Sequence, residues 1–229
     1  MKYTFDSREI EKGDCFVALK GEKADGRDFI PAAKEKGAAE IIEGLEALHD
    51  AARAKRMRLK ATVVALTGSA GKTTTKELLR AFLSKAGRTY ATQGNFNNHI
   101  GLPLTILNCP EDAEFLVLEM GTNHPGEIAA LCDIAEPDAA LITGIGTAHL
   151  EFFKTREAIA EEKGTLAARA KTFCVYPGLT ISPRISPGVA ARPCRRLRRL
   201  KVSLKASSSA RRISRKTQLS HLPWRRALV

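Results

Sequence analysis

Short apolar runs alternate with longer stretches of helical spacing through the middle of the chain. Thr62-Val63-Val64-Ala65-Leu66 and Phe115-Leu116-Val117-Leu118 are apolar at nearly every position. A strand without polar alternation has both faces covered, as in a parallel sheet. Residues 89–91 and 139–143 read as further strands. Residues 73–86, 126–135 and 155–170 read as helices, with Pro125 near the start of the second. Strands separated by helices predict βαβ units.

The pattern before residue 61 is shorter in period. Residues 14–19 and 38–42 read as strands, and residues 21–26 as a polar loop. Asp28 is expected to cap a short helix through Lys36 that Gly37 stops. A helix over 45–59 follows, with Leu45, Leu48, Ala51 and Ala52 on one side. Its last turns are rich in Lys and Arg, which suit the helix dipole. The expected fold is α/β: a P-loop-type parallel sheet flanked by helices over 61–175, preceded by a small α/β N-terminal domain over 1–43 and a connecting helix over 44–60. Residues 176–229, rich in Arg, Ser, Pro and Leu, hold no sustained period and are expected to be disordered.

Composition narrows the class. The 229 residues are 44% hydrophobic and 27% charged, an ordinary globular balance. No apolar run approaches the ~20 residues of a membrane span, and MKYTFDSREIEKGD has no apolar signal core. Five scattered cysteines without a CxxC pair predict reduced thiols in a cytoplasmic protein. The net charge of +12 is not a property of the body: residues 1–170 hold 22 Lys/Arg against all 25 Asp/Glu, and residues 171–229 hold 15 Lys/Arg and no acid. The tail would bind polyanions non-specifically. No recognition motif accompanies it, so no specific nucleic-acid partner is expected.

The strongest chemical signal is Thr67-Gly68-Ser69-Ala70-Gly71-Lys72-Thr73-Thr74-Thr75, placed between a buried strand and a helix. Glycines let the backbone wrap phosphate oxygens, and the helix N-terminus offers free N–H groups. Lys72 is suited to the β/γ-phosphates, and the Thr73 hydroxyl to Mg²⁺. Gly68 precedes Gly71 by three residues rather than five, so the loop is a shortened variant. Glu119 and His149 follow strands at the edge that faces the ligand crevice of an open parallel sheet. Spacing alone makes Lys163 a solvated surface lysine. Asn95, Asn97, Asn98 and His99 form a polar loop that either reads an adenine edge or a substrate amide, or builds turns.

TGSAGKTTTKE, GNFNNHIGLPLT, LEMGTNHPGEI and GIGTAHLEFFKTREAIAEEKG, in that order, closely resemble the Mur ligase family, as does DSREIEKGDCFVALKGEKADGRDFI near the N-terminus. The resemblance implies ATP-dependent amide-bond formation: a substrate carboxylate is phosphorylated, and an amine attacks the acyl phosphate. It implies that Gly68, Ser69, Ala70, Gly71, Lys72, Thr73, Thr74 and Asn98 bind ATP. Thr73 and Glu119 would serve one Mg²⁺, His149 and Lys163 a second, the lysine as its carbamate. Lys72, His149 and Lys163 are the implied catalytic residues. Ser7 and Arg8 would meet a UDP-sugar, and Asn123 and His124 would lie on the substrate side. The implied partners are UDP-N-acetylmuramoyl-tripeptide and D-alanyl-D-alanine, and the expected state is a cytoplasmic monomer. The family pattern departs in three places: upstream of Tyr3, between Ile42 and Leu45, and after about Cys174. The expectation from the last is an incomplete central domain followed by a frameshifted or recombined tail, with an inactive fragment that at most binds nucleotide as the alternative.

Overall fold

Two sheets, each with all-parallel strand pairing, organise the computed structural model, which describes residues 1–22 and 24–176. The first contains β1 (Tyr3–Thr4), β2 (Cys15–Ala18) and β3 (Glu40–Glu43), in that order. Helix α1 (Ile30–Glu35) connects β2 to β3, and α2 (Leu45–Arg58) leads onward. The second sheet is built from β4 (Thr62–Thr67), β5 (Thr89–Ala91), β6 (Phe115–Glu119), β7 (Ala139–Ile142) and β8 (Phe173–Val175). Its strand order is β5-β6-β4-β7-β8. The intervening helices are α3 (Lys72–Leu83), α4 (Gly101–Leu107), α5 (Glu127–Ala135), α6 (Leu150–Phe153) and α7 (Arg156–Arg169). The expected parallel α/β architecture is present.

Side-chain alternation sorts the second sheet into two faces. Val63, Ala65, Leu116, Leu118 and Ala140 pack with Leu102, Leu104, Ile128, Leu131 and Leu166 of α4, α5 and α7. Leu66 and Val117 turn the other way, onto Leu79 and Leu83 of α3. The larger cluster continues through Leu48 and Ala52 of α2 to Cys15, Val17 and Ile42 of the first sheet, so one core joins both sheets. Burial pushes the thiols of Cys15 and Cys132 up to about 12 and that of Cys109 to about 11, so all three stay protonated at neutral pH.

Several local expectations are corrected. Among the described residues Asp28 caps no helix; Asp25 accepts from Arg27 N–H at 3.0 Å and opens a 3₁₀ turn, Gly26–Phe29, that runs into α1. In α2, Leu45 is 39% exposed, whereas Lys55 and Arg56 are buried. Arg56 donates to the carbonyls of Ala135 (2.7 Å) and Glu136 (3.1 Å), which end α5, and Lys55 pairs with Glu111. The basic last turn of α2 therefore caps another helix rather than only suiting its own dipole. Pro125 does stand near the start of α5, as expected, immediately before the cap Gly126 at φ +88°. Strands β1 and β8 and helices α4 and α6 were not expected. The disorder expected over 176–229 falls, from residue 177 onward, outside the described residues.

Candidate functional site at the carboxyl edge of the central sheet

Strand β4 sits at the point where the chain changes direction across the sheet. From β4 the chain crosses to edge strand β5 and returns to β6 at one side of β4; it then passes to β7 at the other. Ligands bind open parallel sheets outside the carboxyl ends at such a point. The strand register brings Leu66 level with Glu119, and Thr67 level with Ile142. The phosphate loop, Glu119 and the loop after β7 therefore share one edge.

The loop is braced from the β7 side. Ser69 N–H donates to Gly144 O at 3.0 Å, and Gly146 N–H to Ser69 Oγ at 2.9 Å. Thr143 Oγ1 donates to Ala70 O at 2.5 Å. Gly68 is required by that approach, because a Cβ there would lie 1.9 Å from Thr143 Oγ1. Gly71 is required by its backbone: it starts α3 at φ +76°, where a side chain is strained. The N–H groups of Gly71, Lys72, Thr73 and Thr74 have no hydrogen-bond acceptor among the described residues, the arrangement that binds anions at a helix start. Lys72 Nζ donates to Gly68 O at 2.9 Å, curling the ammonium over the loop.

Glu119 is 2% exposed at the end of β6. Its Oε1 accepts from Asn97 Nδ2 at 2.8 Å, while Oε2 is buried without a partner among the described residues. The surface reading of Lys163 is overturned: it is 3% exposed on α7. Burial, and then the nearby Lys72 ammonium, pull its pKa down to about 8. Lys72 and Lys163 thus bring two ammonium groups within electrostatic reach of each other, and the strand register sets the unpartnered Glu119 carboxylate at the same sheet edge as the phosphate loop. Cations and an open carboxylate suit a ligand carrying anionic oxygens and a metal ion. No group of three or more His, Cys, Asp or Glu clusters as a metal centre among the described residues. Mg²⁺ does not need one, since it takes one or two carboxylates, water and substrate phosphates. The orphan oxygen of Glu119, with the exposed Thr73 hydroxyl at the start of α3, fits that ion.

The other expected residues are distributed less tightly. Asn98 Oδ1 accepts from the N–H groups of Ile100 (3.1 Å) and Gly101 (2.9 Å), so it builds the turn into α4. His149 is exposed, starts α6 at φ +63°, and makes no side-chain hydrogen bond among the described residues. Asn123 and His124 donate backbone N–H groups to Glu127 Oε2 (2.6 and 3.1 Å), and the His124 ring lies 4.2 Å from that of Phe152. Ser7 and Arg8 lie far along the chain in the turn after β1, where Arg8 forks onto Asp6 (2.7 Å) and holds its carboxyl down at about 2. Sequence reasoning gave no role to Thr143, Lys76 and Glu162, and left Asn97 undecided. Glu162 caps α5, accepting from Gly126 N–H and Ile128 N–H, both at 2.8 Å. Only its apolar surroundings in the helical register of α7 marked it, and those also fit a surface turn.

Profile comparison matches the Mur ligase middle domain to residues 66–213 and the Mur ligase family catalytic domain to residues 3–73. The UDP-N-acetylmuramoyl-tripeptide–D-alanyl-D-alanine ligase of Bacillus subtilis (strain 168) is 43% identical over 176 residues, covering 69% of this chain and 38% of its own. The ligase of that name from Escherichia coli (strain K12) is 39% identical over 178 residues, covering 71% and 39%. Among solved structures, MurF ligase from Thermotoga maritima in complex with ADP superposes with a TM-score of 0.69 at 42% identity, covering 76% of this chain and 44% of that one. MurF from Acinetobacter baumannii gives 0.71 at 34% identity, covering 77% and 43%. The chain thus spans about two fifths of the length of these relatives.

Proposed function

The chain belongs to the Mur ligase family, and we propose that its crevice binds ATP with Mg²⁺ for a ligation of peptidoglycan precursor synthesis, joining D-alanyl-D-alanine to UDP-N-acetylmuramoyl-tripeptide. The observation that carries this reading is the phosphate loop: N–H groups at the start of α3 and a Glu119 oxygen level with the end of β4, all without a partner among the described residues, with Lys72 curled over the loop. Gly68 to Thr74 cradle the phosphates. Lys72 offsets the charge of the transferring phosphoryl group. Thr73 and Glu119 would hold Mg²⁺, which when bound would offset the phosphate charge. His149 and Lys163, the lysine as its carbamate after its amine adds carbon dioxide, would hold a second ion, Asn98 lies beside the nucleotide, and Ser7, Arg8, Asn123 and His124 meet the UDP-linked substrate. The terminal carboxylate of that substrate takes the γ-phosphoryl group, and the dipeptide amine displaces phosphate from the acyl phosphate. The protein works as a cytoplasmic monomer; among the described residues no helix is long and apolar enough to cross a membrane.

A second reading, nucleotide binding without ligation, is the one that the phosphate loop supports by itself, since its N–H groups and Lys72 need only a phosphate. One experiment separates the two. The full chain is incubated with ATP, Mg²⁺, UDP-N-acetylmuramoyl-tripeptide and D-alanyl-D-alanine, and the product mass is read. Pentapeptide product supports ligation. ATP binding in a parallel calorimetric titration of the same chain, without product, supports the second reading, and neither binding nor product contradicts both.

A further inference from the structure

We infer that Asn97 is a positioning residue for Glu119: its side-chain amide holds one carboxylate oxygen and leaves the other to a divalent cation bound with the nucleotide. The inference rests on the reading of Glu119 as a cation ligand. An ionised carboxylate only accepts, so the amide nitrogen is the atom that faces it, at 2.8 Å from Oε1. The donor is neutral. A lysine or arginine in its place would fix the carboxylate equally well but cancel the charge that attracts a cation. The amide fixes it and leaves the charge in place.

Asn97 is itself held from several directions. Its N–H donates to Asn95 O at 2.7 Å, and its carbonyl accepts from Gly121 N–H at 2.8 Å. A Cβ on Gly121 would stand 2.9 Å from Asn97 Oδ1, so glycine there lets the two loops close. From the other end, Lys76, 1% exposed, donates to Gly94 O at 3.3 Å, tying the start of the loop to α3 one turn beyond Lys72. Glu119 N–H is fixed to Thr92 Oγ1 at 3.0 Å. Backbone and side chain of Glu119 are thus both held by the segment that follows β5. Partners that orient a metal ligand are worth about 10–100-fold in metal affinity.

The test uses the full chain with ADP and Mn²⁺ as the probe. Mn²⁺ affinity of the ADP complex is read by electron paramagnetic resonance, and ADP affinity without metal by calorimetry. Asn97→Ala and the near-isosteric Asn97→Leu are each expected to weaken Mn²⁺ at least about tenfold and to leave metal-free ADP affinity within about twofold. Glu119→Gln serves as the reference. If it weakens Mn²⁺ while both Asn97 variants match the parent, the positioning role is wrong and the Glu119 reading stands. If Glu119→Gln leaves Mn²⁺ unchanged, both fall. Equal losses of Mn²⁺ and metal-free ADP affinity, or failure of both Asn97 variants to fold, would make Asn97 a support of the loop and overturn the inference.

Discussion

Lys163 shows how much a single position depends on distant parts of the chain. Its pKa falls from 10.5 to about 8 because it is buried and faces Lys72. The unfolded chain therefore binds more protons than the folded one between those values, and the contribution to stability rises with pH across that window. Below about pH 8 the full penalty is present. In the metal-free, nucleotide-free protein, Lys163→Met is expected to be more stable than the parent at pH 7. The difference should shrink toward pH 10.5, and thermal unfolding at a series of pH values reads it. A pH-independent difference would mean that Lys163 carries no shifted proton. Lys72, Gly68 and Gly71 were legible because their chemistry is local, a strand, a turn and a helix start in one run of sequence. Lys163 was not, because the groups that bury it lie on other elements. Only the family resemblance set it apart from a surface lysine.

At the scale of elements, the continuous apolar runs announced β4 and β6, and the helical spacing announced α3, α5 and α7. Helix α4 went unread because all seven of its residues are buried, so it has no polar face to give a period. Pro103 inside it also argues against a helix. Strands β1 and β8 hold only two and three residues, β8 at the point where the strand–helix alternation stops, and neither was read. The contacts between elements yield two expectations. Gly68→Ala should lower nucleotide affinity at least about tenfold by driving Thr143 away from the loop. Adding Thr143→Gly should recover part of the loss in a calorimetric titration, and a double variant no better than the single would contradict this bracing. Glu162→Ala leaves the N–H groups of Gly126 and Ile128 without their acceptor. It should cost about 1–3 kcal/mol in denaturant unfolding, and a change under about 0.5 kcal/mol would mean that α5 is capped otherwise.

At the scale of the molecule, the shared core makes the first sheet and the nucleotide crevice cooperate. Leu48 of α2, 0% exposed, packs in the cluster that holds both Cys15 and Val63. Leu48→Ala should cost about 2–5 kcal/mol, and hydrogen exchange should report equal loss of protection in β2 and β4. Loss confined to β2 would mean the two sheets unfold separately. The parallel architecture was legible in the strand–helix alternation. The joining of the sheets was not, because the apolar side of α2, Leu48 and Ala52 included, does not say which strands it covers, and the burial of Lys55 and Arg56 in the same helix contradicts their polarity. The central claim is that the loop from Gly68 to Thr74 binds the phosphates of a nucleotide, and its most direct test is calorimetric titration of ADP with Mg²⁺ into the full chain and its Lys72→Ala variant. Saturable one-site binding is expected, weakening at least about tenfold in the variant, or ~1.4 kcal/mol. Absence of binding, or equal affinity in both proteins, would contradict it.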